Sequence, residues 1–134
     1  MSELPPVRIA VIGAGLIGRR HISHVVAEPE TTLVAIVESH PSGAAIAESN
    51  KVPIFTSLTD LMDARKAGQI ELDGVIICTP THTHVQLGVE AVQAGLDCLI
   101  EKPVASTAEE VRPLLKCIGQ SGGVKVLIGQ HRRL

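Results

Sequence analysis

The chain has 134 residues, of which 45% are hydrophobic, enough for one domain with a sizeable core and too apolar for wholesale disorder. Twelve Lys and Arg against 14 Asp and Glu leave a formal charge of −2, which excludes the basic footprint of a nucleic-acid or acidic-membrane binder. Phe55 is the single aromatic residue, so base-stacking platforms and aromatic cofactor cages are excluded as well.

Residues 1–6 read as an N-terminal tail without a signal-peptide pattern, and no apolar run approaches the ~18 residues of a membrane span. Short Val- and Ile-rich runs then alternate with longer amphipathic stretches. Strands are predicted at Val7–Ile12, Leu33–Val37, Gly74–Cys78, Asp97–Ile100 and Val124–Ile128, nearly free of charge as strands buried on both faces must be. Pro53 restricts the 53–55 stretch to a short edge strand. A helix follows Gly15, with Ile22, Val25 and Val26 facing inward and Arg19, Arg20 and His24 outward. Ser57 and Asp60 mark the start of another, through Leu61 and Met62. Val85, Val89, Val92 and Leu96 define one face of a further helix, and Val111, Leu115 and Ile118 one face of the last. Ser106 with Glu109 resembles a capping box for that last helix, in which Pro113 predicts a kink or distorted first turn, or else a late start. Such alternation builds β-α-β units, and right-handed crossovers make of them a doubly wound parallel α/β sheet of the Rossmann type. Residues 7–134 are expected to form this one dinucleotide-binding domain.

Cys78, Cys98 and Cys117 are odd in number and lack C-x-x-C spacing, which predicts reduced thiols in a cytoplasmic protein. Cys78 and Cys98 fall inside predicted adjacent strands, where packing is their expected role.

Gly13-Ala14-Gly15-Leu16-Ile17-Gly18 is G-x-G-x-x-G, placed directly between the first strand and the first helix. The pattern alone is weak; that context makes it a dinucleotide-binding turn. Gly13 permits the tight turn, Gly15 lets the backbone approach a pyrophosphate, and Gly18 lets the helix pack closely on the strand. Free N–H groups at the helix start, which Leu16 and Ile17 open, then meet the phosphate charge. The second strand ends in Glu38, about twenty residues after Gly18, the spacing of an acid that bonds the adenine-ribose hydroxyls. A carboxylate there repels a 2′-phosphate, and Glu38-Ser39-His40 offers no arginine, so NAD(H) is expected rather than NADP(H). His40 itself reads as a solvated loop residue.

Ligands of an open α/β sheet bind beyond the carboxyl ends of the strands, where strand order reverses. The Gly74–Cys78 run ends in Thr79-Pro80-Thr81-His82-Thr83-His84 and the Asp97–Ile100 run in Glu101-Lys102-Pro103, so both segments converge on the glycine turn. His82 and His84 have no local carboxylate or cysteine beside them and are not read as metal ligands; helix capping or cofactor contact accounts better for His84. His21, one turn into the first helix, reads as structural.

Four motifs thus occur in order: G-x-G-x-x-G-x-x-H from Gly13 to His21, T-P-x-x-x-H from Thr79 to His84, E-K-P from Glu101 to Pro103, and G-Q-H-R-R from Gly129 to Arg133. Together they resemble the N-terminal NAD(P)-binding domain of the glucose–fructose oxidoreductase/inositol dehydrogenase (Gfo/Idh/MocA) family, over essentially the whole chain from Val7. The resemblance implies an oxidoreductase moving hydride between NAD(P) and a sugar or cyclitol hydroxyl. It implies that Lys102 is the catalytic lysine beside the nicotinamide, and that Thr79, Pro80 and Thr81 line the cofactor (the family often has Asn in place of Thr81). It also puts Glu101 at the nicotinamide-ribose side, Gln130 near the nicotinamide, and His84 at the start of the next helix. A lysine so placed, partly desolvated beside a cationic ring, has its pKa pushed down and can exchange protons near neutrality.

The family continues into a second α/β domain that supplies much of the substrate pocket, an aspartate–histidine pair assisting proton transfer, and usually the interface of a homo-oligomer. This chain stops at Leu134, and is therefore expected to be the cofactor-binding half of a longer enzyme or a naturally truncated product, with little activity alone. The alternative is a non-enzymatic NAD-binding or regulatory module, because the fold does not impose catalysis. Retention of Lys102 points to the first reading and loss of the substrate half to the second.

Overall fold

The computed structural model describes residues 4–129. Among them, β1 (Val7–Ile12), β2 (Thr31–Val37), β3 (Ile54–Phe55), β4 (Gly74–Ile77), β5 (Asp97–Ile100) and β6 (Val126–Ile128) form one sheet in the order β3-β2-β1-β4-β5-β6. Every pairing is parallel. The helices are α1 (Leu16–Ala27), α2 (Gly43–Ser49), α3 (Leu58–Lys66), α4 (His84–Gln93) and α5 (Arg112–Gln120). The chain winds outward in one direction from β1 to β3 and in the other from β4 to β6. Strand order therefore reverses between β1 and β4, which opens a crevice at their carboxyl ends.

Both faces of the sheet are covered. Ile22 and Val25 of α1 and Ala47 of α2 pack with Val11, Ile36 and Ile76 in one layer. Leu61 of α3, Ala91 and Val92 of α4 and Leu114 of α5 pack with Ile12, Val37, Ile77 and Ile100 in the other. Neighbouring residues such as Val11 and Ile12, or Ile76 and Ile77, thus face opposite layers, which is why these strands read as unbroken aliphatic runs. Pro53 precedes the edge strand β3, as the loss of its N–H donor requires. Ser57 caps α3, its hydroxyl accepting from the Asp60 amide at 3.1 Å.

Several expectations are corrected or narrowed. Val26 is 57% exposed, because the inward stripe of α1 is Gly18, His21, Ile22 and Val25. The buried face of α4 is His84, Gly88, Ala91 and Val92, with Val85 and Val89 only half-buried, and Leu96 is buried beyond the helix end. A Cβ at Gly88 would lie 3.0 Å from Ile100 and 3.1 Å from Leu114, so this small residue brings α4 close to both the sheet and α5. Around Pro113 the helix starts late: residues 109–111 form a 3-10 turn, and Pro113 falls in the first turn of α5, where its missing N–H costs nothing. The tighter turn rotates the helix phase, so Leu114 is buried and Leu115 is 61% exposed. The cap is shifted by one residue, with Thr107 accepting from the Glu110 amide at 3.3 Å and the Glu110 carboxylate accepting from the Ser106 amide at 3.2 Å. Strand limits also move: β2 starts two residues earlier, β6 two residues later, and β4 ends before Cys78.

At the amino end of the sheet Arg8 is tied to the segment entering β4. Its backbone amide and its Nε both donate to Asp73 Oδ2, at 2.8 and 3.0 Å, and its Nη1 pairs with Glu71. The Arg8 guanidinium holds the Asp73 carboxyl below its usual range. No helix among the described residues is long and apolar enough to cross a membrane.

Candidate functional site

The turn between β1 and α1 is built by its neighbours. Gly13 has φ +97°, and a Cβ there would lie 2.9 Å from the Cys78 carbonyl group; a Cβ at Gly18 would lie 1.8 Å from the Gly13 carbonyl oxygen. Both positions are glycine because the chain itself occupies the space. Gly15 differs: a Cβ there would meet nothing within 4 Å, and its φ of −75° suits any residue. The fold does not require glycine at 15, so its bareness is available to a ligand. α1 begins there with no side-chain cap and no acid in its first turn, leaving N–H donors for an anion. Leu16 is 72% exposed at the mouth of the turn and Ile17 is half-buried.

Across the turn stands Glu38, at the end of β2. Its Oε1 accepts from the Ala14 amide at 2.7 Å and its Oε2 from the His40 amide at 3.0 Å. Burial works against its ionisation, but the amides of His40, Ala14 and Ser39 together with His40 outweigh it and hold the carboxyl below its usual range. Glu38 also depends on a residue that the sequence reading passed over. A Cβ at Gly43, the first residue of α2, would lie 2.7 Å from Glu38 Cβ and Cγ, so glycine at 43 makes room for the acid. A glycine opening an alanine-rich stretch was the available signal. His40 is exposed as expected, with Nδ1 facing the Ser42 hydroxyl at 2.9 Å.

Thr79, Pro80 and Thr83 form the opposite wall. Thr83 donates to the Pro80 carbonyl at 2.6 Å and accepts from Thr79 at 2.6 Å, which fixes the loop as a 3-10 turn ahead of α4. Thr81 lies half-buried in that turn. Between the walls runs a groove of about 430 Å³, lined among others by Gly13, Gly15, Glu38, Thr79 and Pro80. Thr56, Ser57, Leu58 and Leu87 also line it. These four escaped the sequence reading because only the sheet order brings the end of β3 and the flank of α4 to this crevice.

The E-K-P segment lies at the end of β5. Glu101 is 9% exposed, and its carboxylate faces His21 Nε2 at 2.5 Å, with His21 itself 5% exposed. Lys102 is exposed, and the methylenes of its stem lie 3.8–3.9 Å from where a Cβ on Gly129 would be. The Lys102–Pro103 bond is cis. His84 is 2% exposed and neither caps α4 nor leaves a ring nitrogen for a ligand: Nε2 lies 2.6 Å from the Thr79 carbonyl oxygen and Nδ1 3.0 Å from that of Pro103. Cys78 and Cys98 are free thiols pushed up to about 12 and about 11, chiefly by burial and secondarily by Glu101 and Asp97, which makes both inert. Gln130 and the G-Q-H-R-R residues after Gly129 lie outside the described residues.

The model of an oxidoreductase family with an NAD-binding Rossmann fold matches residues 7–130. An inositol 2-dehydrogenase of Rhizobium meliloti is 36% identical over 128 residues, 95% of this chain and 37% of that protein. The chain thus spans a little over a third of the curated relative it matches. The solved myo-inositol 2-dehydrogenase of Lactobacillus plantarum superposes with a TM-score of 0.83 at 28% identity, over 92% of this chain and 36% of that one. The WlbA dehydrogenase of Bordetella pertussis, solved with NADH and UDP-GlcNAcA, does so at 0.81 and 26% identity, again over 92% of this chain and 36% of that one.

Proposed function

Because the chain belongs to the Gfo/Idh/MocA oxidoreductase family, we propose that it is the NAD(H)-binding part of a cytoplasmic dehydrogenase of sugar or cyclitol hydroxyls. The observation that carries the reading is Gly15: a bare backbone position that the fold does not need, at an uncapped helix start, across a groove from an ionised acid. Gly13, Gly15 and the N–H groups opening α1 would hold the pyrophosphate, Glu38 the adenine ribose, and Thr79 and Pro80 the opposite wall. Glu38 already accepts from two backbone amides, yet an ionised carboxylate has lone pairs left for the ribose hydroxyls. The same charge opposes a 2′-phosphate, which favours NAD(H) over NADP(H). When bound, the nicotinamide supplies the hydride acceptor.

Lys102 would take the proton of the substrate hydroxyl as hydride departs. Orienting a substrate at near-attack distance is worth ~7–11 kcal/mol of barrier. Glu101 is committed to His21 and His84 to two carbonyls, so among the described residues the E-K-P segment offers only Lys102 to a substrate. This chain alone is therefore expected to bind cofactor and turn over slowly, the remainder of a longer, homo-oligomeric enzyme supplying the substrate contacts. NADH absorbance with inositol, glucose and related polyols tests this, with Lys102→Ala as control. Robust turnover by the 134-residue chain, lost in Lys102→Ala, would mean that the substrate site is complete here. Binding of NADP(H) as tight as NAD(H) would remove Glu38 from the ribose.

A further inference from the structure

Lys102 projects from the end of β5 between two residues that are each gripped by a buried histidine. On one side, His21 of α1 meets the Glu101 carboxylate at 2.5 Å. On the other, His84 of α4 meets the Pro103 carbonyl at 3.0 Å and, with its other nitrogen, the Thr79 carbonyl at 2.6 Å. α1 and α4 belong to opposite layers of the sandwich, so the segment is held from both faces of the sheet. We propose that His21 and His84 are positioning residues for Lys102, His84 joining the 79–83 loop to the lysine segment through its two ring nitrogens.

The His84 ring thus spans the carbonyl oxygens of Thr79 and Pro103, and Glu101 is committed to His21. Truncating either histidine opens these contacts and leaves buried polar groups unpaired. The inference rests on Lys102 being the proton acceptor only for its consequence in catalysis, and not for the bridge itself.

The test is 15N NMR of the free chain, reading the backbone order parameter of the Lys102 amide. We expect that amide to be rigid in the wild type, near ~0.85, and to loosen toward ~0.6 in His84→Gln and in His21→Gln, with the amides of Arg8 and Asp73 unchanged in both. A Lys102 amide equally rigid in both variants would overturn the proposal. Because this is measured without cofactor, its failure is separable from that of the NAD(H) reading, which a fluorescence titration of the wild type with NADH decides.

Discussion

The two ends of the sheet use polar groups differently. At the amino end, the partly exposed Arg8 and Asp73 and the exposed Glu71 satisfy one another. At the carboxyl end, Glu38, Thr79 and Thr83 are tied to backbone or to each other around an open groove, and the buried His21 and His84 hold the neighbouring E-K-P segment. The first arrangement closes a surface, whereas the second holds loops apart. Substitutions at the amino end should therefore change stability only, and those at the carboxyl end should change binding, except where the chain itself fills the space.

Gly18→Val breaks the comparison most severely, because its side chain would start 1.8 Å from the Gly13 carbonyl oxygen. Backbone cannot yield as a flexible side chain does, so the loss should be about 3 kcal/mol or more, seen as a lowered urea midpoint. Glu38→Ala should leave the fold intact, weaken NAD(H) about tenfold and narrow the gap to NADP(H), read by calorimetry with both cofactors. Gly43→Ala should act in the same direction by displacing Glu38, at a stability cost of ~1–3 kcal/mol, and so sharpens the assignment without touching the acid.

The smallest effect belongs to acid titration. The carboxyls of Asp73 and Glu38 are both held below their usual ranges. Each contributes stability that is fully present above its unfolded value, about 4, and that is lost as pH falls through the lower folded value. Asp73→Asn should therefore cost less than ~1 kcal/mol near neutrality, and its difference from wild type should shrink as pH falls through the lowered folded value. NAD(H) binding at neutral pH should be unchanged in that variant; a change would mean that the two ends are coupled.

The parts of this architecture legible in the sequence were those set by local pattern. β1, the glycine turn, the Ser57 cap and the edge position of β3 each depend on neighbouring residues and appeared where composition put them. α2 was missed because it spans only seven residues and its Gly43-Ala-Ala-Ile-Ala start has no polar period. The face of α5 was misassigned because a 3-10 turn before it changed the rotation per residue, something spacing alone does not carry. The roles of His21 and His84 were hidden for another reason: each is defined by a partner brought near by the sheet order. His84 lies 19 residues from the Pro103 carbonyl it meets, and His21 lies 80 from Glu101.

The central claim is that Gly15 is bare for a ligand and not for the fold. Gly15→Val decides it, with titration of NAD and NADH by calorimetry and the fold followed by circular dichroism and urea denaturation. The account predicts an unfolding midpoint close to that of the wild type and affinity reduced on the order of a hundredfold, because the phosphate loses its backbone donors. A folded Gly15→Val that bound NAD(H) as the wild type does would contradict it.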